Sequence, residues 1–230
     1  MFEGNITTKP DKAQLVAELE KHLIEADKQF SSHSMHNTHA VIDCMSGFRN
    51  IPSDKKTKTF AGLISCSLSL RRDCALSITD IVCDSYIEKS LKEGEHIRRA
   101  CPEGTVEVAD ILEDTPIPKL EAQFWAESLN KENLQLLART LALRDMKNVI
   151  VSGMVVNNEL IAPKPKENDC AIVDVPELSS WLEEADSRIV PLINWSVEDG
   201  CQRMHVYFDD TDTVCFLLRY ISTFQKKGVT

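Results

Sequence analysis

Nowhere in the 230 residues does an apolar run reach the length that a bilayer span needs, so no membrane partner is expected. The opening Met1-Phe2-Glu3-Gly4-Asn5 lacks the basic-then-apolar pattern of a secretory signal. The expected setting is intracellular, nuclear or cytoplasmic, and not secreted. Eight cysteines are scattered without a Cys-x-x-Cys pair, several of them inside apolar runs. That pattern excludes a zinc ribbon or a disulfide framework and points to reduced, partly buried thiols. Aromatic residues, at 6%, are too few to build stacking platforms for single strands. Also absent are a Gly-rich phosphate loop, a nucleophile elbow with its Ser-His-Asp order, and a Cys-His pair in a supporting context. Positive charge is in short supply too. A formal net charge of −10 argues against a charge-driven nucleic-acid binder. It leaves room for an enzyme with an acidic centre and local basic patches.

What is present is the material of an α/β domain. Hydrophobic residues make up 43% of the chain, enough for a substantial core. Leu15, Val16, Leu19, Leu23 and Ile24 recur at helical spacing and predict an amphipathic helix over 11–29. A Ser-, His- and Asn-rich stretch follows, so residues 1–38 read as a helix plus polar linker and 39–230 as the domain. Short Val- and Ile-rich runs at 40–43, 78–84, 149–151 and 204–208 predict buried strands. Between them, 60–72, 87–99 and 120–144 have helical character. Asn157-Asn158 reads as a turn, and Lys164 to Asp169 as a polar, exposed excursion. The alternation predicts a three-layer α/β fold, with a mainly parallel central sheet and helices on both faces.

Acidic residues recur where such a sheet places its ligands, beyond the carboxyl ends of the strands. Asp43, Asp84 and Asp210 each follow a predicted strand. A single strand-end aspartate is usually a cap or turn former, but three on one edge ask for more. Two acidic clusters extend the set, Glu183-Glu184-Ala185-Asp186 and Asp209-Asp210-Thr211-Asp212. Ser180 to Glu183 has capping-box spacing, which accounts for Glu183 structurally. Glu184 and Asp186 stand roughly 200° apart on a regular helix, whereas Glu183 and Asp186 share a face; the sequence leaves both geometries open. Convergent carboxylates repel one another unless a proton or a divalent cation lies between them. Asp43, Asp84, Glu184, Asp186, Asp210 and Asp212, with Glu183, are oxygen ligands of the kind that Mg²⁺ or Mn²⁺ takes. One ion, or two about 4 Å apart, activates water and stabilises a phosphodiester's attacking and leaving oxygens.

The order and spacing of these acids resemble the PIN-like, flap-endonuclease/XPG type of 5′-nuclease domain. Asp43 matches its first-strand acid and Asp84 its second; Glu184-Ala185-Asp186 matches its Glu-Ala-Glu helix start and Asp210-Thr211-Asp212 its Asp-x-Asp strand end. The stretch from Leu91 to Arg99 is similar to the family's basic helix, where a Lys and an Arg seven apart grip the scissile phosphate; Lys92 and Arg99 have that spacing, with Arg98 beside them. A closer resemblance is to a group of uncharacterised animal proteins tied to mobile elements. Its pattern is matched by Val41-Ile42-Asp43, Thr59-Phe60, Val82-Cys83-Asp84-Ser85-Tyr86, Ile117-Pro118-Lys119 with Asn130-Lys131, Glu183 to Arg188, and Asp210 to Val214, across roughly residues 39–222. Leu182 stands where that group has His. The group also continues into a further strand with another acid, so the expectation is a domain incomplete at its C-terminus. The resemblance implies a metal-dependent nuclease with DNA or RNA as its partner. The alternative is a catalytically inactive, mobile-element-derived domain that binds nucleic acid or protein. Asp210-Thr211-Asp212-Thr213-Val214 also fits the haloacid-dehalogenase phosphatase motif. That fold, however, needs further acids downstream, and no Asp or Glu follows Asp212.

Overall fold

A computed structural model describes residues 37–51, 57–70, 78–85, 108, 110–119, 121–156, 159–166, 171–179 and 182–229. All of these belong to one compact unit, His36–Thr230. The helix expected over 11–29, its polar linker through His36, the helix expected over 87–99, and the Asn157-Asn158 turn lie outside the described residues.

Four strands form the central sheet: β1 (Thr38–Asp43), β2 (Ile78–Val82), β3 (Val149–Ser152) and β8 (Arg203–Tyr207). Their spatial order is β3-β2-β1-β8, and every neighbouring pair is parallel. Parallel strands need crossovers, and the sequence supplies helices for them. Helices α1 (Cys44–Arg49) and α2 (Phe60–Leu70) lie between β1 and β2 in the chain. Helices α3 (Glu121–Ala126) and α4 (Ser128–Asp145) lie between β2 and β3. The chain then passes through two hairpins and α5 (Ala185–Glu198) to β8 on the far side of β1, and ends in α6 (Thr211–Lys226).

Period-two alternation sorts the strand residues between two cores. Ile81, Cys83, Val149 and Val151 face Met45 and Phe48 of α1, Phe60 and Ile64 of α2, and Leu134, Ala138 and Ala142 of α4. Val41, Val82 and Ile150 face Ala185, Ile189, Leu192 and Ile193 of α5, with Phe224 of α6. β1, β2 and β3 are therefore buried on both faces, which is why their sequences read as near-continuous apolar runs. β3 and β8 are the edge strands of this sheet; β3 is fully buried, whereas all five residues of β8 are only half-buried. The expected central parallel sheet with helices on both faces is what the chain adopts.

One stretch departs from expectation. Pro163–Pro165 (β6) pairs antiparallel with Ile172–Asp174 (β7), so Lys164 sits in a strand with buried Pro163 beside it. Asp174 anchors this hairpin by accepting a hydrogen bond from the Ala162 amide at 2.9 Å. A preceding hairpin joins β4 (Met154–Val156) to β5 (Glu159–Ile161). Two prolines and a lysine in three residues hide the strand from a reading by propensity.

Candidate acidic site

Chain direction reverses its progress across the sheet at β1: β2 and β3 lie to one side of it, β8 to the other. Such a switch point opens a crevice beyond the carboxyl ends of the two strands that flank it. Asp43 ends β1, and Asp209 and Asp210 follow β8, so these acids flank the crevice from the two sides. Asp84 lies two residues past the end of β2, the neighbouring strand.

Each acid has a structural attachment as well as a charge. Asp43 is the N-cap of α1, its Oδ1 accepting from the Met45 amide at 3.0 Å. Asp210 is the N-cap of α6, its Oδ1 accepting from the Asp212 amide at 2.8 Å. Asp84 accepts from the Ala185 amide at 3.1 Å, so the N-terminus of α5, the positive end of its dipole, points at this carboxylate. Asp186 sits in the first turn of α5, with Oδ1 on the Ser187 amide at 2.7 Å. Asp212 is exposed in the first turn of α6.

Helix α5 starts later than capping-box spacing implies. Ala185 is its first residue and Glu184 its N-cap, so Glu183 falls before the helix instead of at its third position. Glu184 is exposed, and its side chain makes no capping hydrogen bond. The Glu183 carbonyl accepts from the Ser85 amide at 2.9 Å, while its Oε2 is buried with no hydrogen-bond partner among the described residues. Because Glu183 and Glu184 both precede the first helical residue, the two helical geometries open to the sequence give way to an extended lead-in. Lys92, Arg98 and Arg99 lie outside the described residues.

The acids sense one another. Burial pushes the Asp43 carboxyl up to about 7; the charge of Asp84 adds to the shift and that of Asp209 adds less, against the amides of Met45 and Ser46. The Asp186 carboxyl is also raised, first by burial and then by Glu184, Asp210 and Asp84, with the Ser187 amide opposing. Asp84 is thus the shared neighbour of both. Asp209 also lies 4.0 Å from the Arg49 guanidinium, an exposed pair of small energetic weight.

The donors are all carboxylate oxygens from four chain segments, the chemistry that hard divalent cations select. The upward shifts of Asp43 and Asp186 come first from burial, and the negative charges of acids on other segments add to them. Among the described residues, however, no three His, Cys, Asp or Glu side chains are grouped closely enough to hold a metal ion. The donor type fits a hard cation; the spacing is that of an open cluster.

Several residues that the list of acids leaves out hold Asp84 in place. From α4, Gln135 Oε1 accepts from the Asp84 amide at 2.7 Å, and Arg139 Nη2 donates to the Asp84 carbonyl at 2.6 Å. Gln135 is fully buried and Arg139 nearly so. Four residues apart, they share one helix face among the apolar Leu134, Ala138, Leu141 and Ala142. Polar residues on an otherwise core-facing stripe are the signal that marks them. Beneath the acids, the Cys44 and Cys83 thiols hydrogen-bond to each other. Burial pushes Cys83 up, but that bond together with Arg139 and Arg188 outweighs burial and brings the thiol down to about 6.

No protein-family model, curated protein or solved structure matches the chain.

Proposed function

We propose that this chain is a PIN-like nuclease domain that hydrolyses phosphodiester bonds in DNA or RNA with the aid of Mg²⁺ or Mn²⁺. The observation that carries the reading is that acids from separate elements flank one crevice, near enough for the charge of Asp84 to add to the burial that raises Asp43 to about 7. A lone capping aspartate experiences no such neighbours. Asp43, Asp84, Glu184, Asp186 and Asp210 would hold the ion, with Glu183 and Asp212 at the margin. The chemistry a bound divalent ion supplies is Lewis-acid charge at phosphoryl oxygens and acidification of water. The chain's own residues set the geometry: the α5 N-terminus orients Asp84, and the α1 and α6 caps orient Asp43 and Asp210. By resemblance, Lys92 with Arg98 and Arg99 holds the substrate phosphate.

A second reading has its own observation. No three candidate ligands among the described residues are grouped to hold an ion, which favours an inactive domain that binds nucleic acid or protein. Purified protein incubated with Mn²⁺ or Mg²⁺ and branched or single-stranded DNA or RNA separates the two. Cleavage that Asp43→Asn or Asp210→Asn abolishes supports the nuclease. No cleavage of any of these polymers, with no cation binding in calorimetric titration, leaves the inactive module.

A further inference from the structure

Arg188 is the largest fully buried side chain of the described residues, 2% exposed, and it lies directly behind the acids. Its Nη1 donates to the Ser85 hydroxyl at 2.7 Å and to the Leu182 carbonyl at 2.9 Å. The Ser85 hydroxyl in turn donates to the Gly153 carbonyl at 2.8 Å, and the Ser85 amide donates to Glu183. One guanidinium therefore ties together the segment after β2, the residue after β3 and the lead-in to α5. Those are the segments that carry Asp84, Glu183 and Glu184.

The arrangement is costly. Arg188 Nε and Nη2 are buried and have no hydrogen-bond partner among the described residues, and burial lowers the guanidinium's pKa to about 10 although Cys83, Asp84 and Glu184 pull it upward. Burying a cation with unfilled donors costs several kcal/mol. The backbone has also been shaped to admit it. Gly153 has φ of 89°, and a Cβ there would come within 2.4 Å of the Cys83 carbonyl and 2.6 Å of Arg188 Nη2. Only glycine fits beneath this side chain. A contact whose sole result were core stability would be better served by an apolar residue of similar volume.

We propose that Arg188 is a positioning residue for the acidic cluster, holding the α5 lead-in against the end of β2 and so setting where Glu183, Glu184 and Asp186 stand relative to Asp84. The inference rests on the reading of those acids as one working site. Its test needs no cation: backbone amide hydrogen exchange is measured on the full chain and on Arg188→Met and Arg188→Lys. In Arg188→Met the Ser85 and Ala185 amides are expected to exchange at least about 10-fold faster, with Ile42 and Ile81 unchanged. Arg188→Lys restores part of the protection. Unchanged exchange at Ser85 and Ala185 overturns the proposal. So does acceleration shared equally with Ile42 and Ile81, which would show a merely structural residue. If Arg188→Met does not fold, Ser85→Ala removes the hydroxyl to which the guanidinium donates and keeps the backbone, and it is judged by the same two backbone amides. Mn²⁺ titration of the same proteins separates the two claims. Wild type that binds no Mn²⁺ removes the nuclease reading while the exchange result stands. Wild type that binds Mn²⁺, with variants unchanged in both readouts, removes only the role of Arg188.

Discussion

The Ala185 amide donates to the Asp84 carboxylate at 3.1 Å across 101 residues of sequence, joining the first residue of one helix to the end of a strand on its far side. This bond gives Asp84 a structural role and a chemical one, and the two respond differently to substitution. Asp84→Asn keeps an oxygen acceptor for the α5 amide and should leave stability to urea nearly unchanged. Asp84→Ala removes it and should cost about 1 kcal/mol, as the loss of a helix-capping group does. Both should abolish Mn²⁺-dependent cleavage, because neither leaves a carboxylate. Cleavage retained in Asp84→Asn would show that the acid serves the helix alone.

Asp43 has the opposite balance. Its carboxyl, raised to about 7 by burial and by Asp84, opposes folding once ionised. The folded state holds a proton that the unfolded chain has released, so this contribution is full below the ordinary carboxylate range and is lost as pH rises through about 7. Asp43→Asn should therefore melt higher than wild type at pH 8 without added cation. Addition of Mn²⁺ should narrow the gap, since an ion at 100 times its Kd adds about 2.7 kcal/mol to wild type and little to the variant. Thermal melts with and without Mn²⁺ check both halves.

Asp80 provides a pH signature away from the acids. It sits in the middle of β2, between Val41 and Ile150 by register, fully buried, with Ser196 Oγ at 3.4 Å from Oδ2 and no partner on Oδ1 among the described residues. Burial raises it to about 8, the Ser196 hydroxyl opposing and Asp199 adding. By the same sign rule its contribution is lost as pH rises toward about 8. Other groups titrate in this range, so the informative quantity is the difference between Asp80→Asn and wild type. That difference should grow in favour of the variant by about 1.4 kcal/mol per pH unit and flatten above pH about 8. Urea unfolding from pH 5 to 9 measures it, and a difference independent of pH would refute the assignment.

Much of this architecture was legible from one-dimensional pattern. The Val- and Ile-rich runs ending in Asp43 and Asp84 became β1 and β2 because a strand buried on both faces has little choice but to be apolar throughout. The strand-end acids followed from the topology rule and needed no further information. What escaped detection depends on contacts between distant residues. Gln135 and Arg139 look in sequence like ordinary polar residues of a long helix, and only the packing of α4 against the end of β2 turns them inward. The β6–β7 hairpin escaped for a local reason, because prolines at 163 and 165 argue against a strand except at an edge. Helix α5 begins four residues later than capping-box spacing implies: its N-cap is Glu184, where that spacing places Ser180.

Gln135 makes a further prediction. Its Oε1 is the acceptor for the Asp84 amide, and its Nε2 donates back to the Lys131 carbonyl at 3.3 Å. Gln135→Leu preserves approximate volume but leaves a half-buried backbone donor unsatisfied, at a cost of about 1–3 kcal/mol. Gln135→Glu keeps the acceptor and places its charge beside Arg139, so it should fold with smaller loss. Urea denaturation ranks the three proteins, and equal stability of Gln135→Leu and wild type would mean that water replaces the amide's partner.

The net charge of −10 sharpens the last test, because attraction to a nucleic-acid backbone must come from a local patch. Lys92 and Arg99 are the proposed phosphate contacts in either reading of the chain. If each neutralises one phosphate, Lys92→Ala combined with Arg99→Ala should lower the slope of log K against log salt by about 2. Binding should weaken to a similar extent on DNA and RNA, since backbone contacts carry no sequence information. In an active nuclease the double variant should also raise KM more than it lowers kcat, because these cations meet the substrate before the reacting bond changes. An inactive module shows the binding change with no turnover to measure. An unaltered salt slope would mean that these residues are solvated helix charges and that the polymer, if it binds, enters elsewhere.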